Sequence, residues 1–549
     1  MSLKPVLIQP VPEETARVAK AVFRRGNPYL RLRDEIGTIF TDAGFADLFP
    51  RRGQPGLPPW RLALVTLLQF RENLPDRQTA EAVRARIDWK YLLGLELTDP
   101  GFDPSVLCEF RARLLAGGAE KCLLQQLLAR CQELGLLKAG GRQRTDATHV
   151  LAAIRTLNRL EVVGETLRAA LNALATAAPA WLQEYSRPAW FERYTVRIDV
   201  YRLPKSEAGR EALAATIGAD GHELLAAVFA PAAPIWLRAL PAIETLRQVW
   251  VQQFCVVDDQ VRWRSPDDQL PPGRRLHSPY DPEAVCGTKR GQRWIGYKVH
   301  LTETCEADQP HLIIDVHTTC AAVSDAAMTG PIHRTLAARG LLPSRHLVDS
   351  GYIDANLLVT SRSEHGIELM GPARPDTSWL QHAGAGFDIG AFAIDWEKRT
   401  ARCPQGQTST SWTAFRTPQA GVAVRVGFDP ATCRVCPCRA SCTRSKTAPR
   451  TLALLAQAQH EAVQARRQEQ QTKAWRQAYA QRAGVEGLLS QGVRTFGLRR
   501  SRYFGQAKIH LQHVLTALAI NLVRLDAWLR GIAPATTRQS RFAALMAAS

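Results

Sequence analysis

A chain of 549 residues, 46% hydrophobic and 22% charged, has the composition of an ordinary soluble globular protein. It is too long for one core, so roughly two to four domains are expected. No apolar run of about 18 residues is free of charge, and Met1 to Pro10 lack the apolar core of a secretory signal; no membrane span is evident and a cytoplasmic protein is expected. The formal net charge of +19 asks for a polyanionic partner, of which nucleic acid is the commonest.

Residues 1–138 read as a helical N-terminal domain. Trp60 to Asn73 is dense in apolar residues, Leu74-Pro-Asp76 breaks the pattern, and Asp76 is placed to start the next helix at Arg77 to Arg86. Asp103-Pro104 is a second start signal, leading into Ser105 to Leu115. Short capped helices with exposed arginines suit a helix-turn-helix type of DNA-binding module; a helical bundle used for dimerisation has the same pattern.

Gly140-Gly141 marks the boundary to a second domain, 139–530. Arg142 to Val150 alternates as a strand and contains Asp146. A helical insertion, 152–285, follows, with the chain helical from Ala152 to about Arg262. Strands are then expected at Trp294 to Leu301 and His311 to Thr318, a helix at Ser324 to Arg339, and a short strand at Arg345 to Asp349. A helix at Ile353 to His365 and a strand at Ile367 to Met370 complete the series. With the insertion set aside, the order is β-β-β-α-β-α-β. That is the order of a ribonuclease-H-like α/β core, a mixed five-stranded sheet with helices. A Cys-rich, β-prone insertion spans 387–443, Leu452 to about Leu489 reads as helix, Lys508 to Arg530 as another, and 531–549 as a loose tail.

Three carboxylates stand out by context. Asp146 lies inside a strand, where Asp is disfavoured. Asp349 ends a short apolar strand, and ligands collect beyond such strand ends in α/β sheets. Glu486 follows Tyr479 and Arg482 at helical spacing, so the three share a face. Carboxylates are natural ligands for two hard cations about 3.5–4 Å apart, which relieve charge on the attacking and leaving oxygens in phosphoryl transfer on DNA. One Asp would bridge the ions, while the other Asp and the Glu complete one site each.

The segment Tyr479-Ala-Gln-Arg482-Ala-Gly-Val-Glu486 resembles the Tyr-x2-Arg-x3-Glu signature of bacterial DDE insertion-sequence transposases. Further on, Gly497-Leu-Arg-Arg-Ser-Arg-Tyr503, Lys508-Ile-His-Leu-Gln-His513 and Ala519-Ile-Asn-Leu look like the C-terminal block of insertion-sequence family eleven-eighty-two. Asp146-Ala-Thr-His and Leu347-Val-Asp349-Ser-Gly-Tyr resemble its two Asp blocks. Ser278-Pro-Tyr-Asp-Pro-Glu-Ala, Gly296-Tyr-Lys-Val-His and Gly371-Pro-Ala-Arg-Pro-Asp376 are similar to its wording between and after them.

The resemblance implies a catalytic triad of Asp146, Asp349 and Glu486 holding two Mg²⁺ or Mn²⁺ ions. Tyr479 and Arg482 would lie near the cleaved DNA end, where Arg pairs a phosphate bidentately. The partners implied are double-stranded DNA, as element end repeats and target, and a second copy of the chain in a synaptic homodimer. The family signature has a Lys seven residues after the Glu; here Val493 stands there, with Arg494 beside it.

After Glu486 no acid occurs until Asp526. Arg494, Arg499, Arg500, Arg502, Lys508 and Arg524 stand in that interval, a composition suited to a DNA track. Tyr503 and Phe504 could stack on an unpaired base or belong to a core. Of twelve cysteines, Cys108, Cys122, Cys131, Cys255, Cys286, Cys305 and Cys320 are scattered and read as small buried apolar residues. Cys403, Cys433, Cys436 and Cys442 match the family's cysteine positions and suit tetrahedral Zn²⁺ in a structural role. Cys438 is left over. His149, His277, His300, His510 and His513 form no metal-ligand spacing. A transposase-derived DNA-binding protein without activity, or a nuclease of the same fold that does not join strands, shares most of these features.

Overall fold

The computed structural model describes residues 2–5, 7–198, 203–373, 387–417 and 421–533. Residues 374–376 of the Gly371 motif and 534–549 of the expected tail lie outside the described residues. Helices fill the N-terminal region, among them Pro59–Glu72, Asp76–Ala85, Ser105–Ala116 and Glu120–Glu133. Asp76 starts its helix but accepts from Arg111 (2.6 and 2.9 Å) rather than capping it. Pro59–Glu72 is buried on nearly every side, because it packs on the equally enclosed C-terminal helix Gln506–Leu529. Such all-round apolar character marks a helix inside a core. The hydrophobic core therefore runs without a break from these helices into the sheet.

Strand β1 (Arg142–Leu151) enters that sheet. The chain then leaves for the insertion, whose helices Arg159–Ala177, Glu207–Phe229 and Pro241–Gln253 enclose a separate core. One of these, Glu207–Phe229, is long and apolar enough to cross a membrane. Here Asp220 on it accepts from Trp190 Nε1 (3.0 Å) and Tyr194 Oη (2.6 Å) inside the insertion. Helix does not continue to Arg262. Strands β2 (Phe254–Val257) and β3 (Gln260–Trp263) form a hairpin instead. Alternating β-formers flank Asp258-Asp259, which adopt the positive φ angles, +52° and +56°, of a tight hairpin turn.

Strands β4 (Val285–Lys289), β5 (Gln292–Thr304), β6 (Ile313–Cys320), β7 (Arg345–Leu347) and β8 (Glu368–Met370) complete a six-stranded mixed sheet. Its central order is β6-β5-β1-β7-β8; β4 pairs with the start of β5 on the edge that β6 shares further along. Pairings β6-β5 and β5-β1 are antiparallel, whereas β1-β7 and β7-β8 are parallel. Helices Ala326–Ala338 and Ala355–His365 connect β6 to β7 and β7 to β8. Gln506–Leu529 packs on β6, where Asn521 exchanges two 2.8 Å bonds with the Ile313 backbone. Glu303, fully buried, accepts from both Arg144 and Arg524.

Beyond β8 a small module has its own core around Phe392, Val424, Val426, Phe428 and Leu452. It holds the pair β9 (Ala393–Asp395) and β10 (Thr400–Arg402), and the sheet β11 (Ser411–Thr417), β12 (Gly421–Gly427), β13 (Thr451–Leu455). Thus Leu452 to Leu455 is strand rather than the start of a helix. Leu452 and Leu454 alternate inward, opposite Val426 and Val424. Helices Gln457–Glu469, Lys473–Ala480 and Gly484–Phe496 follow. Of the scattered cysteines only Cys131 and Cys305 are buried; Cys108 is exposed and the rest are intermediate.

Candidate active site

The parallel register of β1 on β7 pairs Arg142 with Arg345, Gln143 with His346 and Arg144 with Leu347. Two residues beyond the last of these pairs come Asp146 on β1 and Asp349 just past β7, so the sheet brings the two acids to neighbouring positions. Asp349 lies just past β7, where its Oδ1 accepts the Gly351 N–H at 2.8 Å and starts a 3-10 turn. Gly351 is required there: a Cβ would lie 2.9 Å from Asp349 Oδ1 and 3.3 Å from Asp325 Oδ2.

Asp146 is 5% exposed. Its Oδ1 accepts the Ala147 N–H at 2.7 Å and its Oδ2 accepts Arg482 Nη2 at 2.6 Å. Burial pushes the carboxyl up to about 6, against the pull of the Arg482 guanidinium and with a smaller push from Asp349. Although burial draws the Arg482 guanidinium down, Asp146 holds it above its ordinary value. Arg482 Nη1 reaches Glu486 Oε1 at 3.2 Å, so one guanidinium bridges the buried acid of the strand and the exposed acid of the helix. Tyr479 donates its hydroxyl to the Val348 carbonyl at 3.1 Å, next to Asp349, and its ring stacks on Trp475 at 4.7 Å. Tyr479 and Glu486 lie on two helices joined by a 3-10 turn, Gln481–Ala483, that carries Arg482.

Arg482 thus links Asp146 to Glu486, with Asp349 and Tyr479 next to them at the end of β7. Among the described residues, no group of three or more His, Cys, Asp or Glu side chains is close enough to hold a metal ion. The donor set is nonetheless of the right chemistry. Two carboxylates stand at neighbouring positions and a third is joined to one of them through a cation, Arg482, in direct contact with oxygens of Asp146 and Glu486.

The basic residues diverge. Arg494, Arg500 and Lys508 are exposed. Arg499 donates to Thr148 Oγ1 at 2.7 Å, tying its loop to β1. Arg502 reaches Asn73 and lies over the Phe70 ring at 4.8 Å. Arg524 is turned inward onto Glu303. Tyr503 packs against the main core, whereas Phe504 is 49% exposed. Cys403, Cys433, Cys436, Cys438 and Cys442 line one cavity of about 40 Å³. Burial raises the Cys442 thiol, and the nearby thiols of Cys433, Cys403 and Cys436 add to this.

Sequence reasoning misses a buried polar layer under the site. His333 and His346 are 2.9 Å apart, His346 bonds to Thr145 Oγ1 at 2.7 Å, and His300 bonds to Tyr352 Oη at 2.6 Å. Lys298 pairs with Asp325 at 3.1 Å. No local spacing signals these contacts, because each partner comes from a different strand or helix.

Residues 402–526 match the family model of a transposase DDE domain, and residues 17–113 match that of a second transposase domain. The first contains Tyr479, Arg482 and Glu486 but begins after Asp146 and Asp349; the second covers N-terminal helices. No curated protein matches the chain. The two matches support a transposase function and a DNA-processing enzyme acting on DNA.

Proposed function

We propose that this chain is a DDE transposase of the Tyr-Arg-Glu type, similar to insertion-sequence family eleven-eighty-two. It would hydrolyse the strand at the element's end and then join the freed 3′-hydroxyl to target DNA. The observation that carries this reading is Arg482 paired with both Asp146 and Glu486, with Asp349 just past the strand beside Asp146 and with Glu486 and Arg482 inside the matched transposase segment. The strand order β6-β5-β1-β7-β8 supports a ribonuclease-H-like core as its scaffold.

Asp146, Asp349 and Glu486 would hold two Mg²⁺ or Mn²⁺ ions, which supply charge relief on the attacking and leaving oxygens. The chain's own part is orientation. Arg482 has the planar fork that pairs a DNA phosphate bidentately. Tyr479 fixes the helix carrying it against the Val348 carbonyl. Arg494, Arg499, Arg500, Arg502 and Lys508 would extend the DNA contact, and the N-terminal helices would read the end repeats. Synapsis of two ends asks for a homodimer.

Cys403, Cys433, Cys436 and Cys442 would hold a structural Zn²⁺ in a module whose core is small. Metal analysis of the purified protein should find about one zinc per chain, lost in Cys433→Ser.

The decisive experiment incubates the purified protein with end-repeat DNA and Mg²⁺ or Mn²⁺. Cleavage and joined products are expected from the wild type and neither from Asp349→Ala. Undiminished cleavage by Asp349→Ala would overturn the triad, and cleavage without joined products would identify a nuclease.

A further inference from the structure

Between Glu283 and Glu303 the sequence has no acid and four cations, Lys289, Arg290, Arg293 and Lys298. Lys298 is turned inward, its Nζ bonded to the Val323 carbonyl at 2.7 Å and to Asp325 at 3.1 Å. The other three stand exposed at the tip of the β4–β5 hairpin. Among the described residues none of these three forms an ion pair.

Two features of the backbone aim this tip. At Gly296 φ is +148°, and a Cβ there would lie 2.2 Å from the Val150 carbonyl oxygen and 2.7 Å from the Ala152 nitrogen. The backbone of β5 thus lies hard against the end of β1, in a conformation that glycine alone tolerates. Two residues before it, Trp294 packs on His149 of β1, with ring centroids 5.5 Å apart. The base of the hairpin is therefore held against the catalytic strand. Lys289 is near enough for its charge to bear on Asp146, His149 and His300.

The turn itself is unusual. Arg290 and Gly291 take φ of +52° and +79°. A two-residue turn with both φ positive favours Asn-Gly, and arginine there is strained. The turn carries a cation where Asn, Asp or Gly would fold more readily. Val493, at the position where the resembled signature has a lysine, packs against the main core.

We infer that the β4–β5 hairpin is a phosphate clamp. Lys289, Arg290 and Arg293 grip the backbone of the DNA that lies across Asp146 and Asp349. The partner is duplex DNA, held through its phosphates and without regard to base. This inference rests on the reading of the chain as an enzyme acting on DNA.

The test titrates the full chain with a fluorescent, blunt-ended duplex of random sequence over a series of salt concentrations. Removing one side chain that neutralises a phosphate lowers the slope of log affinity against log salt by about 0.9. Lys289→Gln/Arg290→Asn/Arg293→Gln should therefore lower it by about 2.7. Arg290→Asn alone should lower it by about 0.9 while leaving the melting temperature unchanged or raised, because Asn suits the turn; this separates weaker phosphate binding from damage to the fold. An unchanged slope in the triple variant would overturn the clamp. Cleavage of end-repeat DNA by the wild type reports separately on the transposase reading. A wild type that binds with the hairpin-dependent slope but never cuts would overturn the catalytic reading and leave the clamp standing. One that cuts, with a slope indifferent to the triple substitution, would do the reverse.

Discussion

Asp146 and Glu486 touch the same guanidinium, yet they stand in opposite surroundings. Asp146 is 5% exposed on a strand paired along both edges. The Glu486 side chain is 62% exposed on the first turn of a helix. A backbone ladder positions the first acid; the second stands on a helix seated in the core through Val485 and Leu488, and its side chain reaches the site by one ion pair, Arg482 Nη1 to Oε1 at 3.2 Å. The sheet is thus a preset floor, and the helical segment from Tyr479 to Glu486 is an arm laid across it. Changes of equal chemistry should disturb the fold on the floor and only the reaction on the arm.

Acid should separate the two regions most strongly. Burial holds the imidazoles around the sheet neutral: His300 and His513 are drawn down to about 3, and His333 and His510 to about 4. Once unfolded, each returns to about 6.5. The unfolded chain therefore binds more protons, and the stability from these groups is complete above pH 6.5 and lost as pH falls toward 4 and 3. Asp146 and Asp281, raised by burial, act in the opposite sense because the folded state takes up their protons first. At about 1.4 kcal/mol per proton per pH unit, the imidazoles outweigh these two carboxyls, and stability should fall as pH drops below 6. Hydrogen exchange should show the loss first in the amides of β1, β5 and β6. If the Tyr479–Glu486 segment opens at higher pH than these strands, the distinction between floor and arm fails.

Substitution should sharpen the contrast further. Asp146→Ala leaves Arg482 half-enclosed without its main partner, and urea unfolding should show a loss of about 3 kcal/mol. Glu486→Gln should stay within about 0.5 kcal/mol of wild type. Both should lower cleavage of end DNA by about a hundredfold or more, on the scale of losing one charge-stabilising group. Equal destabilisation by the two variants would mean that Glu486 is as firmly built in as Asp146.

Much of the floor is legible in the sequence. An Asp inside Arg142 to Val150 and another ending an apolar strand stand out in the sequence, and the structure brings both to the candidate site. The neighbouring setting of Asp146 and Asp349 is not legible, because it depends on pairing between strands some two hundred residues apart. Composition misleads at Phe254 to Trp263 and at Leu452 to Leu455, where short alternating strands follow or precede helix-rich sequence. A basic run also says nothing of direction. Arg524 belongs by sequence to the DNA track but is turned onto Glu303, and Arg502 lies on Phe70. Lys289 carries no signal of its own, since the close approach of Gly296 to β1 that holds its hairpin near Asp146 leaves no mark beyond a single glycine.

The smaller effects belong to the arm. Arg482→Lys keeps the charge but not the planar fork that spans Asp146 and Glu486. It should reduce cleavage by about tenfold, as for the loss of an orienting partner, and cost no more than about 1 kcal/mol of stability, within the range of a partly exposed pair. Tyr479→Phe is milder still. It removes a single 3.1 Å bond to the Val348 carbonyl and leaves the stack on Trp475 in place. A stability loss of about 1 kcal/mol is expected in urea unfolding. Cleavage should fall only a few-fold, because the arm stays seated through the ring while losing its bond to the Val348 carbonyl. A hundredfold fall would instead make the Tyr479 hydroxyl a participant at the DNA end, and the arm would then be as much a part of the reacting site as the floor beneath it.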